Sequence, residues 1–218
     1  MKQLFGKRKE CKNMYSQNNE EKIVFDYFKG EKGTLLSIGE NSGQHLSNCL
    51  ALIESGWNAT LVEPSSTVFP DLCGLHLHRD NVYCLNVAVS NYLGKAKFYN
   101  SGTHLQKGDK ALLSSLNKNE TQKWRKTTEF TEVFVDVVDF KTMLNLSPYK
   151  KFQFISIDAE GEDMNILRQM NLTELECKCL CIEWNSNQKI LNEILNYCSQ
   201  FGLTKMLLKN GENIILSL

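Results

Sequence analysis

Thr34-Leu35-Leu36-Ser37-Ile38-Gly39-Glu40-Asn41-Ser42-Gly43 is followed, about 20 residues on, by Thr60-Leu61-Val62-Glu63-Pro64. The first apolar run closes on a glycine turn that opens a helix, and an acid ends the second; this layout binds a nucleoside ribose. Gly39 and Gly43 let the backbone turn sharply and approach a ligand, and the helix expected after Gly43 would aim free N–H groups at it. Glu63, at the carboxyl end of its strand, can accept hydrogen bonds from both ribose hydroxyls. A dinucleotide site needs G-x-G-x-x-G, but Gly39-Glu40-Asn41-Ser42-Gly43-Gln44-His45 lacks the middle glycine. Glu40 would also set a negative charge beside a pyrophosphate. S-adenosylmethionine carries an ammonium and a sulfonium and no phosphate, so the turn favours it over NAD or FAD.

The rest of the chain suits one α/β domain. Its 218 residues are 42% hydrophobic, enough for a sizeable core, and the formal net charge is zero. Zero net charge gives no global attraction to nucleic acid or anionic membrane, although the basic residues from Lys107 to Lys126 could touch phosphates locally. No apolar run approaches the roughly 20 residues of a membrane span, and the N-terminus lacks the apolar segment of a signal peptide. A cytoplasmic protein is the expectation. The eight cysteines read as reduced, packed thiols; Cys177, Cys179 and Cys181 alternate along an expected strand and so share one face, too close in sequence for tetrahedral C-x-x-C ligation. His76-Leu77-His78 reads as a solvent-facing loop. No metal-ligand set stands out.

Residues 1–14 are polar and basic and read as a flexible lead-in, with a single domain over 15–218. Ser16 can cap a helix whose stripe is Ile23, Val24, Tyr27 and Phe28. From Thr34 onward strands and helices alternate, which predicts a mostly parallel sheet with helices on both faces. Strands are expected near 34–38, 58–62, 82–89, 130–137, 152–157 and 178–184, and helices near 43–55, 65–73, 138–145, 162–170 and 187–201. Asn210-Gly211 between two apolar runs signals a terminal antiparallel hairpin. Residues 100–129 are polar, without clear periodicity, and read as a lid-like insertion over the substrate. His104 within it is an exposed residue more than a candidate base.

A second constellation is Phe152-Gln153-Phe154-Ile155-Ser156-Ile157-Asp158-Ala159-Glu160-Gly161-Glu162-Asp163, a buried-strand pattern ending in four acids. Ligands of open α/β sheets bind beyond the carboxyl ends of the strands, so Asp158 and Glu160 should reach the crevice of Gly39 and Glu63. Acids there can orient a substrate hydroxyl, accept its proton or hold a divalent cation. Glu162 and Asp163 are explained by the favourable N-terminal end of the following helix.

Together these runs resemble the FkbM family of S-adenosylmethionine-dependent methyltransferases. Ser16-Gln17 through Phe28 is similar to the family's lead helix, Ile38 through Gly43 to its cofactor loop, and Val62-Glu63-Pro64 to its ribose turn. Asn86-Val87-Ala88-Val89-Ser90 with Gly94 and Phe98 resembles the next strand and hairpin, Ser114-Ser115-Leu116 a small serine motif, and Val135 to Leu144 and Ile157 to Asp163 the last two blocks. The resemblance implies a Rossmann-like class I methyltransferase fold and O-methylation of a sugar or another small hydroxyl-bearing metabolite. By the same resemblance Gly39, Asn41 and Gly43 would line the methionine portion, Glu63 and Pro64 the ribose, and Asn86, Val87 and Ala88 the adenine, with Asp158 and Glu160 facing the acceptor. Ser37 stands where the family has an acid, and Glu40 where a small residue is usual. Glu40 can restore that carboxylate and bind the methionine ammonium from one turn position later. The rival expectation is a catalytically silent module that binds a glycan or protein partner.

Overall fold

The structure, a computed structural model, describes residues 14–103 and 109–218. The basic lead-in (apart from Met14), Cys11, His104 and Lys107 fall outside the described residues. Helix α1 (Glu20–Phe28) buries Val24 and Phe28 and ends where Lys29 and Gly30 take positive φ. It precedes β1 (Thr34–Ile38), α2 (Leu50–Glu54), β2 (Asn58–Val62), α3 (Phe69–His76) and β3 (Val82–Leu85). Three strands follow, β4 (Ala88–Val89), β5 (Gly94–Ser101) and, after α4 (Lys118–Trp124), β6 (Phe130–Val138). The chain closes with α5 (Phe140–Leu146), β7 (Phe154–Ile157), α6 (Asp163–Leu167), β8 (Cys179–Glu183), α7 (Gln188–Ser199), β9 (Lys205–Lys209) and β10 (Asn213–Ser217).

Seven strands form one sheet in the order β3-β2-β1-β7-β8-β10-β9. The first five run parallel, and β10 lies antiparallel between β8 and β9. β1, β7 and most of β8 are buried, which is why they read as continuous apolar runs: helices cover both faces of a parallel sheet. One face packs Val24 and Phe28 of α1, Leu52 and Ile53 of α2 and Leu72 of α3 around Trp57 and Phe154. The other packs Phe140 and Met143, Ile166 and Leu167, and Leu191 and Ile194 from α5, α6 and α7. The α/β fold with a mostly parallel sheet and an antiparallel C-terminal hairpin is as expected. Asn210 makes the hairpin turn, its Oδ1 accepting from the Glu212 and Asn213 amides.

Four expectations need correction. The segment 82–89 is two strands, and β6 lies outside the main sheet: it pairs parallel to β4 and antiparallel to β5 in a separate three-stranded sheet. Its sequence alternates burial with exposure, as a half-covered strand does. Cys177 precedes β8 and packs on the opposite face from Cys179 and Cys181. His76 closes α3 and is buried, with its Nδ1 3.1 Å from Arg79 Nη1; burial, then the Arg79 charge, pushes its pKa down to about 4. His78 is exposed, as expected. No helix among the described residues is long and apolar enough to cross a membrane.

Candidate active site

The strand order reverses between β1 and β7, and the crevice outside their carboxyl ends is where an open α/β sheet binds its ligand. Gly39 takes φ 85° there, and its amide donates to Val62 O at 2.9 Å. A Cβ at Gly39 would lie 1.7 Å from Asp158 O, so only glycine lets the two strand-end loops pass this closely. The Asp158 amide in turn donates to Ile38 O at 2.9 Å, tying the loop after β7 to the turn after β1.

Glu63 leaves β2 with its side chain beneath that turn. Its Oε2 accepts from the Asn41 amide at 2.9 Å and its Oε1 from the Ser65 amide at 2.7 Å, and each oxygen keeps a second lone pair for a hydroxyl donor. Burial raises its pKa to about 7 against the pull of those two amides. Asn86 supports the turn from behind, its Nδ2 donating to Glu63 O at 2.8 Å and Pro64 O at 3.1 Å.

Ser37 and Glu40 meet. The Glu40 carboxyl accepts from Ser47 Oγ at 2.6 Å, and burial holds its pKa up against the opposing pull of the neighbouring Ser37 and Ser47 side chains. Ser47 Oγ also accepts from the Cys49 and Leu50 amides, both at 3.1 Å. Regular helix therefore begins at Leu50 and not after Gly43: Asn41 and Leu46 take positive φ, so residues 40–49 form an extended turn.

The cleft over these strand ends, of about 230 Å³, is lined by Ser37, Gly39, Glu40, Asn41, Glu63, Pro64, Val87, Ala88, Asp158 and Glu160 of the expected residues. Gly43 and Asn86 do not line it. Gly43 backs onto α3, where a Cβ would lie 2.5 Å from Leu72 Cδ1, and Asn86 faces the backbone of the Glu63 turn. Asp163 is a structural clamp, its carboxylate accepting from the Ala159 and Gly161 amides at 2.9 and 3.1 Å. Glu162 accepts from Ser90 Oγ at 2.6 Å and lines the cleft.

Sequence reasoning missed Glu20, Glu183, Glu212 and Asn213, which also line the cleft. Glu183 closes the apolar strand β8 just as Glu63 follows β2, so its signal was the same acid-at-strand-end pattern. Among the described residues the lining holds Glu20, Glu40, Glu63, Asp158, Glu160, Glu162, Glu183 and Glu212, and neither Lys nor Arg. In a chain of zero net charge, this concentrates negative potential in one place. Burial, followed by repulsion from Asp163, Glu212, Glu40 and Glu63, raises the Asp158 pKa to about 7. Residues 111–114, Leu116 and Trp124 form the far wall, and Ser115 Oγ, behind it, donates to Glu160 O at 2.6 Å.

The family model described as "Methyltransferase FkbM domain" matches residues 37–203, over three quarters of the chain. The chain belongs to the FkbM methyltransferase family. With that membership comes its methyl donor, S-adenosylmethionine. No curated protein sequence matches this FkbM-family chain. Among solved structures, it is similar to a METTL16 methyltransferase domain at 11% identity and TM-score 0.49, covering 91% of this chain and 64% of that one. It thus spans just under two thirds of that domain. A fibrillarin from Aeropyrum pernix with natively bound S-adenosyl-L-methionine is 10% identical, TM-score 0.45, over 94% of this chain and 81% of its own. A ribosomal protein L11 methylase from Lactobacillus delbrueckii subsp. bulgaricus is 10% identical, TM-score 0.46, over 91% and 75%.

Proposed function

We propose that this FkbM-family chain methylates a hydroxyl oxygen of a small acceptor, a sugar or another hydroxyl-bearing metabolite. The observation that carries the reading is the position of Asp158 and Glu160. Both face the cleft that Gly39 and Glu63 open, and among the described residues no hydrogen-bond donor sits on either carboxylate.

When bound, S-adenosylmethionine supplies an electrophilic methyl group on a positively charged sulfur. The residues fit it: among the described residues the cleft is acidic and holds neither Lys nor Arg, as suits a cationic ligand, and Gly39 lets the backbone turn closely beside it. Glu63 with Pro64 takes the ribose, Val87 and Ala88 the adenine side. Glu40, returned to Ser37 at the end of β1, holds the methionine ammonium beside Gly39 and Asn41. The carboxylate absent at position 37 is thereby restored from position 40.

Asp158 accepts the proton of the acceptor hydroxyl, a role suited to a carboxyl whose pKa stands near 7. Glu160 orients the same hydroxyl. Leu113, Leu116 and Trp124 cover the acceptor side like a lid and exclude water. Most of the acceleration comes from holding oxygen and methyl in line, worth up to about 7–11 kcal/mol.

The test is transfer of labelled methyl from S-adenosylmethionine across a panel of sugars, nucleotides and lipid-linked acceptors. Asp158→Asn should lower kcat by about 10²- to 10⁴-fold. Cofactor binding without transfer to any acceptor would favour the silent binding module instead.

A further inference from the structure

Asp158 and Glu160 follow β7, and Glu183 ends the neighbouring strand β8, so two adjacent strands deliver three carboxylates to one corner of the cleft. One oxygen from each lies within 4.8 Å of the other two. Oxygens on opposite sides of a hard divalent ion stand at twice the metal–oxygen distance, about 4.2 Å for Mg²⁺ and about 4.8 Å for Ca²⁺. The three groups are therefore already gathered to the dimension of a coordination sphere, although like charges repel.

A second observation is independent of the acids. Asn213 pairs directly with Glu183 across β8 and β10, so the two side chains stand on the same face of the sheet. It is only 8% exposed and lines the same cleft. Its Nδ2 is taken by Glu20 Oε1 at 3.3 Å, but its Oδ1 has no hydrogen-bond partner. A buried amide oxygen without a donor is costly, and its strand-pair neighbour Glu183 ends in an acceptor when ionised. Such a carbonyl needs either a donor or a cation. Among the described residues neither Lys nor Arg lines the cleft, and no neutral donor there, Gln17, Asn48 and Asn185 included, is bonded to it.

We infer that Asp158, Glu160 and Glu183 bind a divalent cation of the hard, oxygen-preferring class, Mg²⁺, Mn²⁺ or Ca²⁺, with the Asn213 Oδ1 turned to the same ion. The ion offsets the mutual repulsion of the three carboxylates and leaves coordination positions open toward the cleft. There it would draw in an acceptor hydroxyl and make its proton easier to lose. That last role rests on the methyl-transfer reading; the binding of the ion does not.

The experiment measures Mn²⁺ binding to the full chain without cofactor, by electron paramagnetic resonance of the free ion, with Mg²⁺ and Ca²⁺ as competitors. One site with a Kd below about 1 mM is expected, as for carboxylate-built sites of modest affinity. Glu183→Gln should weaken it at least about tenfold, since an anionic ligand is lost for a change of near-equal shape. Glu162→Gln removes the same charge from the same cleft without touching the triad and should change affinity less than about threefold. Circular dichroism of both variants checks that they are folded. Absence of saturable Mn²⁺ binding, or equal weakening by both substitutions, overturns the site. If Glu183→Gln weakens S-adenosylhomocysteine and leaves Mn²⁺ unaffected, the corner serves the cofactor ammonium and the cation site is likewise overturned.

Discussion

Gly39 and Asp158 touch backbone to backbone: a Cβ added to Gly39 would stand 1.7 Å from the Asp158 carbonyl oxygen, at φ 85°. The two neighbouring loops, after β1 and after β7, are thus one packed unit on the same side of the cleft. Gly39→Ala must both adopt a left-handed conformation and push the loops apart, at a cost of about 2–4 kcal/mol in stability. Urea unfolding should show that loss, and S-adenosylhomocysteine affinity should fall with it. A variant as stable and as tight-binding as the wild type would mean that the loops are not coupled.

Asn86 holds the turn of Glu63 and Pro64 through their carbonyls and does not line the cleft. Asn86→Ala removes two hydrogen bonds of about 1 kcal/mol each, so S-adenosylhomocysteine affinity should weaken by roughly three- to tenfold with the fold intact. Calorimetry reads this directly. An S-adenosylhomocysteine affinity that Asn86→Ala leaves unchanged would mean that the Glu63 turn does not depend on this bracing.

Ser115 ties the far wall to the acidic loop through Glu160 O, while its Oγ also accepts from the Asn117 amide at 2.9 Å. Ser115→Ala should cost about 1 kcal/mol of stability. Because Glu160 lies on the acceptor side, kcat should fall while cofactor affinity stays within about twofold, the difference that separates transition-state from ground-state effects.

Stability should depend on pH with an unusual sign. Burial raises the pKa of Glu21 and of Glu63 from 4.5 to about 7. The folded state then binds more protons than the unfolded one, so their stabilisation is complete below pH 4.5 and is lost as pH rises toward 7. His76, lowered from 6.5 to about 4, acts oppositely, adding stability between pH 4 and 6.5. Asp158, raised to about 7, and Asp163, raised to about 6, act in the same direction as Glu21 and Glu63. Together they outweigh His76, and urea unfolding without ligand should show higher stability at pH 5.5 than at pH 7.5. Glu21→Gln should make that slope shallower without abolishing it; a wild-type slope of the opposite sign would contradict the burial account.

The sequence disclosed most where burial leaves a simple trace. β1, β2, β7 and β8 are core strands, and their near-unbroken apolar runs, with acids at or just beyond their ends, located both sheet and crevice. Asn210-Gly211 disclosed the terminal hairpin by turn chemistry. The late start of α2 was hidden, because positive φ at Asn41 and Leu46 is a tertiary outcome that neither side chain announces. The separate placement of β6 was legible in its alternation, unlike the continuous runs of the main sheet. Glu183 was overlooked although it ends its strand as Asp158 follows its own. Asn213 could be found only once β10 was seen to pair with β8.

The central claim is that S-adenosylmethionine occupies the cleft beyond β1 and β2 with Glu63 on its ribose. Calorimetric titration of S-adenosylmethionine into the wild type and into Glu63→Ala, with NAD as comparison, tests it most directly. One saturable site is expected in the wild type, with its loss in a folded Glu63→Ala and no binding of NAD. Binding of NAD without S-adenosylmethionine, or an affinity for S-adenosylmethionine that Glu63→Ala leaves unchanged, would contradict it.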